Sequence, residues 1–434
     1  MVRLSLATTL VVGLILGAVA AFAGSAAPVE ITMWSHWLVE PGKAAWIKEV
    51  TKQYEESHPN VKFNLVSFGD KADLYTQLRA LNQAGGKGAP DIHTLDFRPL
   101  FSIPWERSRW LLNLKGKLDE GHWDKGLLGM ATYNNGIWGV TVEAFGIFLW
   151  YDKKLASKLG LEMPKDGIVT LAQFDAMAQK ARSAGLIPLV QGFQNLDAFA
   201  SHWPVGMTLS CAGGEKALNT IAPWLQIYPY TDPEIVQCLE RAVSLIPKYF
   251  NPDAATLTNV EGWQRLAAGR GLFTAEGSWL PGRVMQAIEQ GAAPPGFEVG
   301  ALRFPTVPGG KGDGVVQWGA GSGYGASAFT KHPDIVVDYF NFMSTRQRGA
   351  RWLELTEVPT GMVSDMPAKL PDILRTQMEF RAAGPVLSPP IYFTPSGDEE
   401  VFWRRGMSRF FADPKYTAKE FLEELQRLRL KAKR

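Results

Sequence analysis

Pro28-Val29-Glu30-Ile31-Thr32-Met33-Trp34-Ser35-His36-Trp37 is the stretch on which the reading of this chain turns. A β-type run, 29–34, ends in two tryptophans that bracket a serine and a histidine. Upstream, residues 1–27 carry one positive charge at Arg3, an apolar run over 10–22, and then small residues. Ala21-Phe22-Ala23 satisfies the small-x-small rule for signal peptidase, and Ser25-Ala26-Ala27 offers a second site. The apolar run is shorter than the ~20 residues that span a bilayer. Residues 1–27 are therefore expected to be a signal peptide, cut after Ala23 or Ala27, that sends the chain across the inner membrane. With no cysteine beside the cut, a lipid-anchored form is not expected, and the mature protein is expected to be soluble and periplasmic.

Downstream, a helical period over 41–58 places Trp46, Ile47, Val50 and Tyr54 on one face and stops at His58-Pro59. A strand over 61–68, a helix over 70–84 closed by Gly85-Gly86, and a strand over 90–95 follow. That β-α-β-α-β order argues for a mostly parallel sheet covered by helices. Further strand-like runs fall at 137–142 and 146–151. Helices dominate 171–268, a strand (271–275) and a helix (281–290) come next, and glycine-rich β sequence returns over 297–329. The final hundred residues are helical, with 334–343 and 417–430 the clearest amphipathic segments. At 434 residues the chain is too long for one ordinary core, and two lobes are expected.

Loss of Arg3 with the leader leaves 44 basic against 43 acidic residues. That balance gives no electrostatic argument for nucleic acid or an anionic membrane surface. The two cysteines, Cys211 and Cys238, are a disulfide candidate in an exported chain, the alternative being two separately buried thiols. The six histidines include no pair at i, i+3 or i+4, so a zinc site is unsupported. Gly321-Ser322-Gly323-Tyr324-Gly325-Ala326 matches a G-x-G-x-x-A string, but β-like sequence follows it instead of a helix, so a dinucleotide site is not indicated. No nucleophile elbow, P-loop or calcium loop is present, and no cofactor is expected.

Fifteen tryptophans are many for this length, and several stand beside polar residues. Trp34 and Trp37 flank Ser35 and His36; Trp203 follows His202; Trp279 follows Glu276-Gly277-Ser278; Trp318 follows Gln317; Trp403 precedes Arg404. Sugars offer flat C–H faces to indoles and rims of hydroxyls to carboxylates, amides and guanidinium groups, so this combination suits a carbohydrate cleft. Core packing is the competing use of any single tryptophan.

These residues lead to a family. The chain resembles the solute-binding proteins of bacterial sugar ABC importers, the group that contains the maltose-binding protein. The resemblance is carried by 31–37; by Ala89-Pro90-Asp91-Ile92 with Leu95-Asp96-Phe97-Arg98; by Tyr133 and Gly136-Ile137-Trp138-Gly139-Val140 followed by Val142-Glu143-Ala144; by Phe148-Leu149-Trp150-Tyr151-Asp152-Lys153; and by Gly277-Ser278-Trp279 and Val401-Phe402-Trp403. It implies an α/β periplasmic binding protein fold of two lobes with hinge crossings and a ligand cleft between them. The expected division is 28–143 and 281–325 in the N-terminal lobe, and 144–280 and 326–434 in the C-terminal lobe. Crossings are expected near 143–146, 276–281 and 322–327.

The resemblance also implies a monomeric, non-catalytic receptor for a small sugar that docks on inner-membrane permease subunits. Asp96 and Glu143 are the expected carboxylates, with Arg98 beside them. Trp279, Trp403 and Trp37 are the expected stacking platforms. Trp34, Ser35, His36, Gln191, Phe193, Trp203 and Trp318 complete the expected ligand-binding set. Glu143 has an alternative role as an inter-lobe ion-pair partner, and Trp403 as packing on Phe402, Phe410 and Phe411. Two other functions compete: a receptor for an anionic polyol such as glycerol phosphate, and a secreted glycoside hydrolase, which needs paired carboxylates about 5–9.5 Å apart.

Overall fold

The computed structural model describes residues 28–69, 71–96, 109–133, 135–194, 200–213, 229–312, 314–383, 386–387 and 397–432. The expected signal peptide lies outside them. The strands are β1 (Val29–Ser35), β2 (Val61–Ser67), β3 (Ile92–Asp96), β4 (Thr132–Tyr133), β5 (Gly136–Ile137), β6 (Ala144–Asp152), β7 (Ile187–Leu189), β8 (Gly271–Gly277), β9 (Val299–Leu302), β10 (Val316–Ala320), β11 (Ser322–Ala326) and β12 (Val386–Leu387).

Two sheets define two lobes. The first has the order β11-β3-β1-β2, with β1 parallel to both β2 and β3, as the opening β-α-β-α-β pattern requires. Only β11, returning from far along the chain, runs antiparallel in it. The second sheet has the order β12-β10-β6-β8-β7, with β9 also paired to β6. Its long central strand β6 is buried along nearly its whole length, because helices cover both faces.

The helix Pro41–Ser57 shows how the sequence builds the first lobe. Proline stands in its first turn, where a missing N–H costs nothing. Trp46, Ile47, Val50 and Tyr54 enter the core with Ile31 and Met33 of β1. The same core takes Val336, Tyr339, Phe340 and Met343 of the helix Pro333–Met343 and Trp352 and Leu353 of the helix Arg346–Thr356.

The lobes therefore divide the chain differently from the expected boundaries. β9, β10 and the helix Leu280–Glu289 pack with β6 in the second lobe, although 281–325 is expected in the first. The helices after residue 326 return to the first lobe before the helix Asp372–Ala383 leads to β12 and the second. Amphipathic period shows that a helix packs, not on which sheet. The chain passes between lobes at 142–144, at 320–322 and along 357–383. The expected crossing at 276–281 is instead a turn inside the second lobe, joining β8 to the helix Leu280–Glu289.

Cys211 and Cys238 form a disulfide with a Cα–Cα separation of 5.6 Å, tying the helix His202–Ala212 to the helix Pro233–Ser244. Closing that loop contributes about 3–4 kcal/mol on the chain-entropy model. A Cys211→Ser/Cys238→Ser variant is expected to lose that much in urea denaturation; a loss under about 1 kcal/mol would show that the bridge adds little. No helix among the described residues is long and apolar enough to cross a membrane.

Candidate functional site

Two of the inter-lobe passages among the described residues lie against each other, and the segment that follows Thr356 joins them. Glu143 N–H donates to Ser322 O at 2.9 Å, and Gly321 N–H donates to Glu143 O at 2.8 Å. Ala144 N–H donates to Pro359 O at 3.0 Å, and Thr360 Oγ1 donates to Val142 O at 2.8 Å. A Cβ on Gly321 would stand 2.8 Å from Glu143 O, so only glycine permits this approach. The strand ends and helix starts of both lobes converge on this junction.

From the first lobe, Ser35 ends β1 and caps the short turn His36–Val39 by accepting from Trp37 N–H. That turn delivers Glu40 and Lys43 to the junction. Lys43 Nζ lies 2.7 Å from Glu143 Oε2 and 3.0 Å from Glu40 Oε2; Lys43 and Glu143 are buried, and Glu40 is partly exposed. Burial works against the Lys43 ammonium, but the two carboxylates outweigh it and raise its pKa. Burial also opposes the Glu40 carboxylate, yet Lys43, then Arg283 and Lys71, hold its pKa below the ordinary value. Lys71 donates to Ser322 Oγ at 2.8 Å.

From the second lobe, Glu276 near the end of β8 is fully enclosed. Asn259 Nδ2 donates to Glu276 Oε1, and Trp279 Nε1 donates to Glu276 Oε2 at 3.2 Å. Asn259 holds its place because Thr258 and Glu261 form a capping box at the start of its helix. Arg283 Nη1 donates to Asn259 Oδ1 at 2.7 Å. The Trp279 ring lies over Gly277, where a Cβ would approach it to 2.2 Å, and its centroid is 6.1 Å from Phe145 and 6.2 Å from His202. His202 Nδ1 lies 3.0 Å from Ala275 O, which requires the proton on Nδ1.

Burial pushes the Glu276 carboxyl up to about 7, against the opposing effects of Arg283, Asn259 and Trp279. Held above its ordinary value of 4.5, it contributes stability that is full below about pH 4.5 and is lost as pH rises toward 7. Burial pushes His93 down to about 4 from 6.5, so its contribution is full above pH 6.5 and is lost as pH falls toward 4. The two slopes oppose each other between pH 4.5 and 6.5. A Glu276→Gln variant is expected to expose the histidine slope, losing up to about 1.4 kcal/mol per pH unit on acidification relative to wild type. Superimposable urea-denaturation profiles for the two proteins at pH 5, 6 and 7 would refute the Glu276 shift.

The structure brings Glu143 and Trp279 to the junction, with Ser35 and His36 at its edge. Glu143 takes the ion-pair role. Asp96 ends β3 opposite Ser322 in backbone register; its side chain, and the whole of Arg98, lie outside the described residues. His36 Nδ1 is 3.1 Å from Thr94 Oγ1. Trp34 is half-buried and packs on Phe68 at 4.9 Å.

Other expected contacts are interior. Trp37 is fully buried between Trp352 and Tyr324. Gln191 spends its amide on the Ala275 backbone, and Phe193 packs on Phe411. Trp203 donates to Ala242 O among Phe174, Tyr249, Phe250 and Phe304. Trp318 lies under Arg381, and Trp403 packs on Phe421. Each of these six is held by packing that the sequence does not display.

Glu40, Lys43, Lys71, Asn259, Glu276 and Arg283 stand outside the expected set. Lys43 had a legible signal. It stands three and four residues before Trp46 and Ile47, so the helical period puts a charge on a buried face.

Two α/β lobes with polar and aromatic groups gathered where the chain passes between them define a two-lobed periplasmic binding protein fold. The profile of the bacterial extracellular solute-binding protein family matches residues 38–348, and the chain belongs to that family. It is 20% identical over 328 residues to the multiple sugar-binding protein of Streptococcus mutans serotype c, covering 73% of this chain and 72% of that one. Among solved structures, a chitin oligosaccharide binding protein superposes with a TM-score of 0.79 at 20% identity, covering 94% of this chain and 99% of that one. RafE in complex with raffinose superposes with a TM-score of 0.72 at 18% identity, covering 94% and 100%. At these identities the structural likeness establishes the fold.

Proposed function

We propose that this protein binds a carbohydrate in the periplasm and delivers it to the permease of an ABC importer, without chemical change to the sugar. The observation that carries this reading is Trp279. Its indole donates to Glu276, overlies Gly277 and stands near Phe145, the second residue of β6 after the first inter-lobe passage. A flat apolar face ringed by hydrogen-bonding groups is the chemistry that a sugar requires. The relatives, whose names are those of sugar binders, support the same class. Because the site draws on both lobes, a ligand that touches both favours the closed arrangement and shifts the population toward it. The disulfide fits an oxidising compartment and the leader fits export.

Two rivals find less support. An anionic polyol needs an uncompensated cationic clamp. Here Lys43 is matched by Glu40 and Glu143, and Arg283 donates to Asn259 and acts electrostatically on Glu40. A hydrolase needs a carboxyl pair open to substrate, whereas Glu143 is ion-paired and both Glu276 oxygens accept from neighbouring side chains. A thermal-shift screen of the mature protein against mono-, di- and oligosaccharides and glycerol phosphate tests the proposal. A sugar at 100 times its Kd is expected to stabilise the protein by about 2.7 kcal/mol and to be recovered intact. A response to glycerol phosphate alone would move the site to the anionic class.

A further inference from the structure

Gln317 is a buried polar side chain that the fold leaves unused. It is 2% exposed, and neither Oε1 nor Nε2 has a hydrogen-bond partner among the described residues. Buried amides are ordinarily paired, and an unpaired one costs stability. An apolar residue would be the default at this place, since Ile147, directly opposite on β6, and Phe145 beyond it belong to the apolar core.

The register shows where the amide stands. Gln317 pairs with Ile147, and Ile147 pairs with Gly277, the residue beneath the Trp279 ring. Residues opposite one another in antiparallel strands share a face. Gln317 and Trp279 therefore occupy one face of the second sheet, at one level, two strands apart, which is about 10 Å between backbones. The flanking Val316 and Trp318 point to the other face, into a different cluster. Phe145 and Gly319, the next pair on this face toward the lobe junction, lie beside Gln317, and the Phe145 ring and the Met130 side chain cover the space over Gly319. Gln317 is thus a neutral donor and acceptor on the same face as the Trp279 indole, with the Ile147 side chain on the strand between them.

We infer that the Gln317 carboxamide reads a pair of neighbouring hydroxyls on the bound sugar, Oε1 accepting from one and Nε2 donating to the other. This rests on the carbohydrate reading above and adds a specificity-determining residue to it. The amide is unpaired because its partners arrive with the ligand.

Gln317→Met, close in volume and apolar, separates this role from a structural one. The wild type and the variant are compared by calorimetric titration with the tightest-binding member of a panel of maltotriose, cellobiose, raffinose and diacetylchitobiose, and by thermal melting without ligand. The expected result is an affinity lower by about 10- to 100-fold, together with a ligand-free melting temperature higher by about 2–4 °C. Unchanged affinity overturns the inference and leaves the carbohydrate reading standing. A lower melting temperature also overturns it, because the amide would then have a structural partner. A wild type that binds none of the four sugars removes the carbohydrate reading and this inference together.

Discussion

Trp279→Ala is expected to lower sugar affinity by about 2–4 kcal/mol, on the order of 100-fold, in a protein that still folds. Of the five buried tryptophans in the expected set, it retains the most exposure, at 9%. Its indole does two things, packing over Gly277 near Phe145 and donating to Glu276 from Nε1. Alanine removes both. Trp279→Phe keeps an aromatic face and loses only the donor, so its loss of affinity is expected to be clearly smaller. Calorimetric titration of the two variants gives the comparison, with far-ultraviolet circular dichroism as the check on folding. A Trp279→Ala protein that is folded and binds as tightly as wild type would remove the platform from the site.

Lys43→Met is expected to cost about 3–5 kcal/mol of stability. The Lys43–Glu143 pair is enclosed at the first inter-lobe passage, with both side chains 7% exposed. Removing the ammonium takes from the buried Glu143 carboxylate its direct ion-pair partner and leaves it beside Glu40. Replacing both partners is a different matter. The double variant Lys43→Met/Glu143→Leu is expected to recover most of the loss, because two apolar groups of similar size carry no desolvation penalty. Urea denaturation of the two single variants and the double variant closes the cycle. If the two single losses simply add in the double variant, the pair is not coupled and the hinge is held by its backbone bonds alone.

Much of the first lobe was legible because local rules decide it. The helix Pro41–Ser57 announces itself by proline at its start and by its apolar period, and the alternation of strand and helix dictates the parallel pairing of β1 with β2 and β3. Within the stretch expected to be mostly helical, the helix Leu171–Ser183 is fixed at its start by the Thr170 and Gln173 capping box. Glu143 at a crossing and Trp279 beside a glycine were legible through family resemblance.

The six interior residues of the expected set were not legible as such. A tryptophan beside a polar residue reads the same whether its partner is a sugar or the carbonyl of Ala242, as for Trp203. A glutamine gives no sign in sequence that its amide is spent on a neighbouring strand, as for Gln191, or left unpaired, as for Gln317.

By itself the sequence determined most of the elements, though not the expected strand over 137–142, of which only Ile137 lies in a strand, and it determined the mostly parallel first sheet and the family. These rest on interactions between residues near one another in the chain, or on motifs read as strings. The tertiary structure alone decided which sheet each later helix covers, which carboxylate is neutralised by Lys43, and which face of β10 Gln317 occupies. Those outcomes depend on contacts between residues 100 or more positions apart, such as Lys43 with Glu143 and Gln317 with Ile147. Periodicity tells a residue that it is buried; only the register of the sheets and the meeting of the lobes tells it what it is buried against.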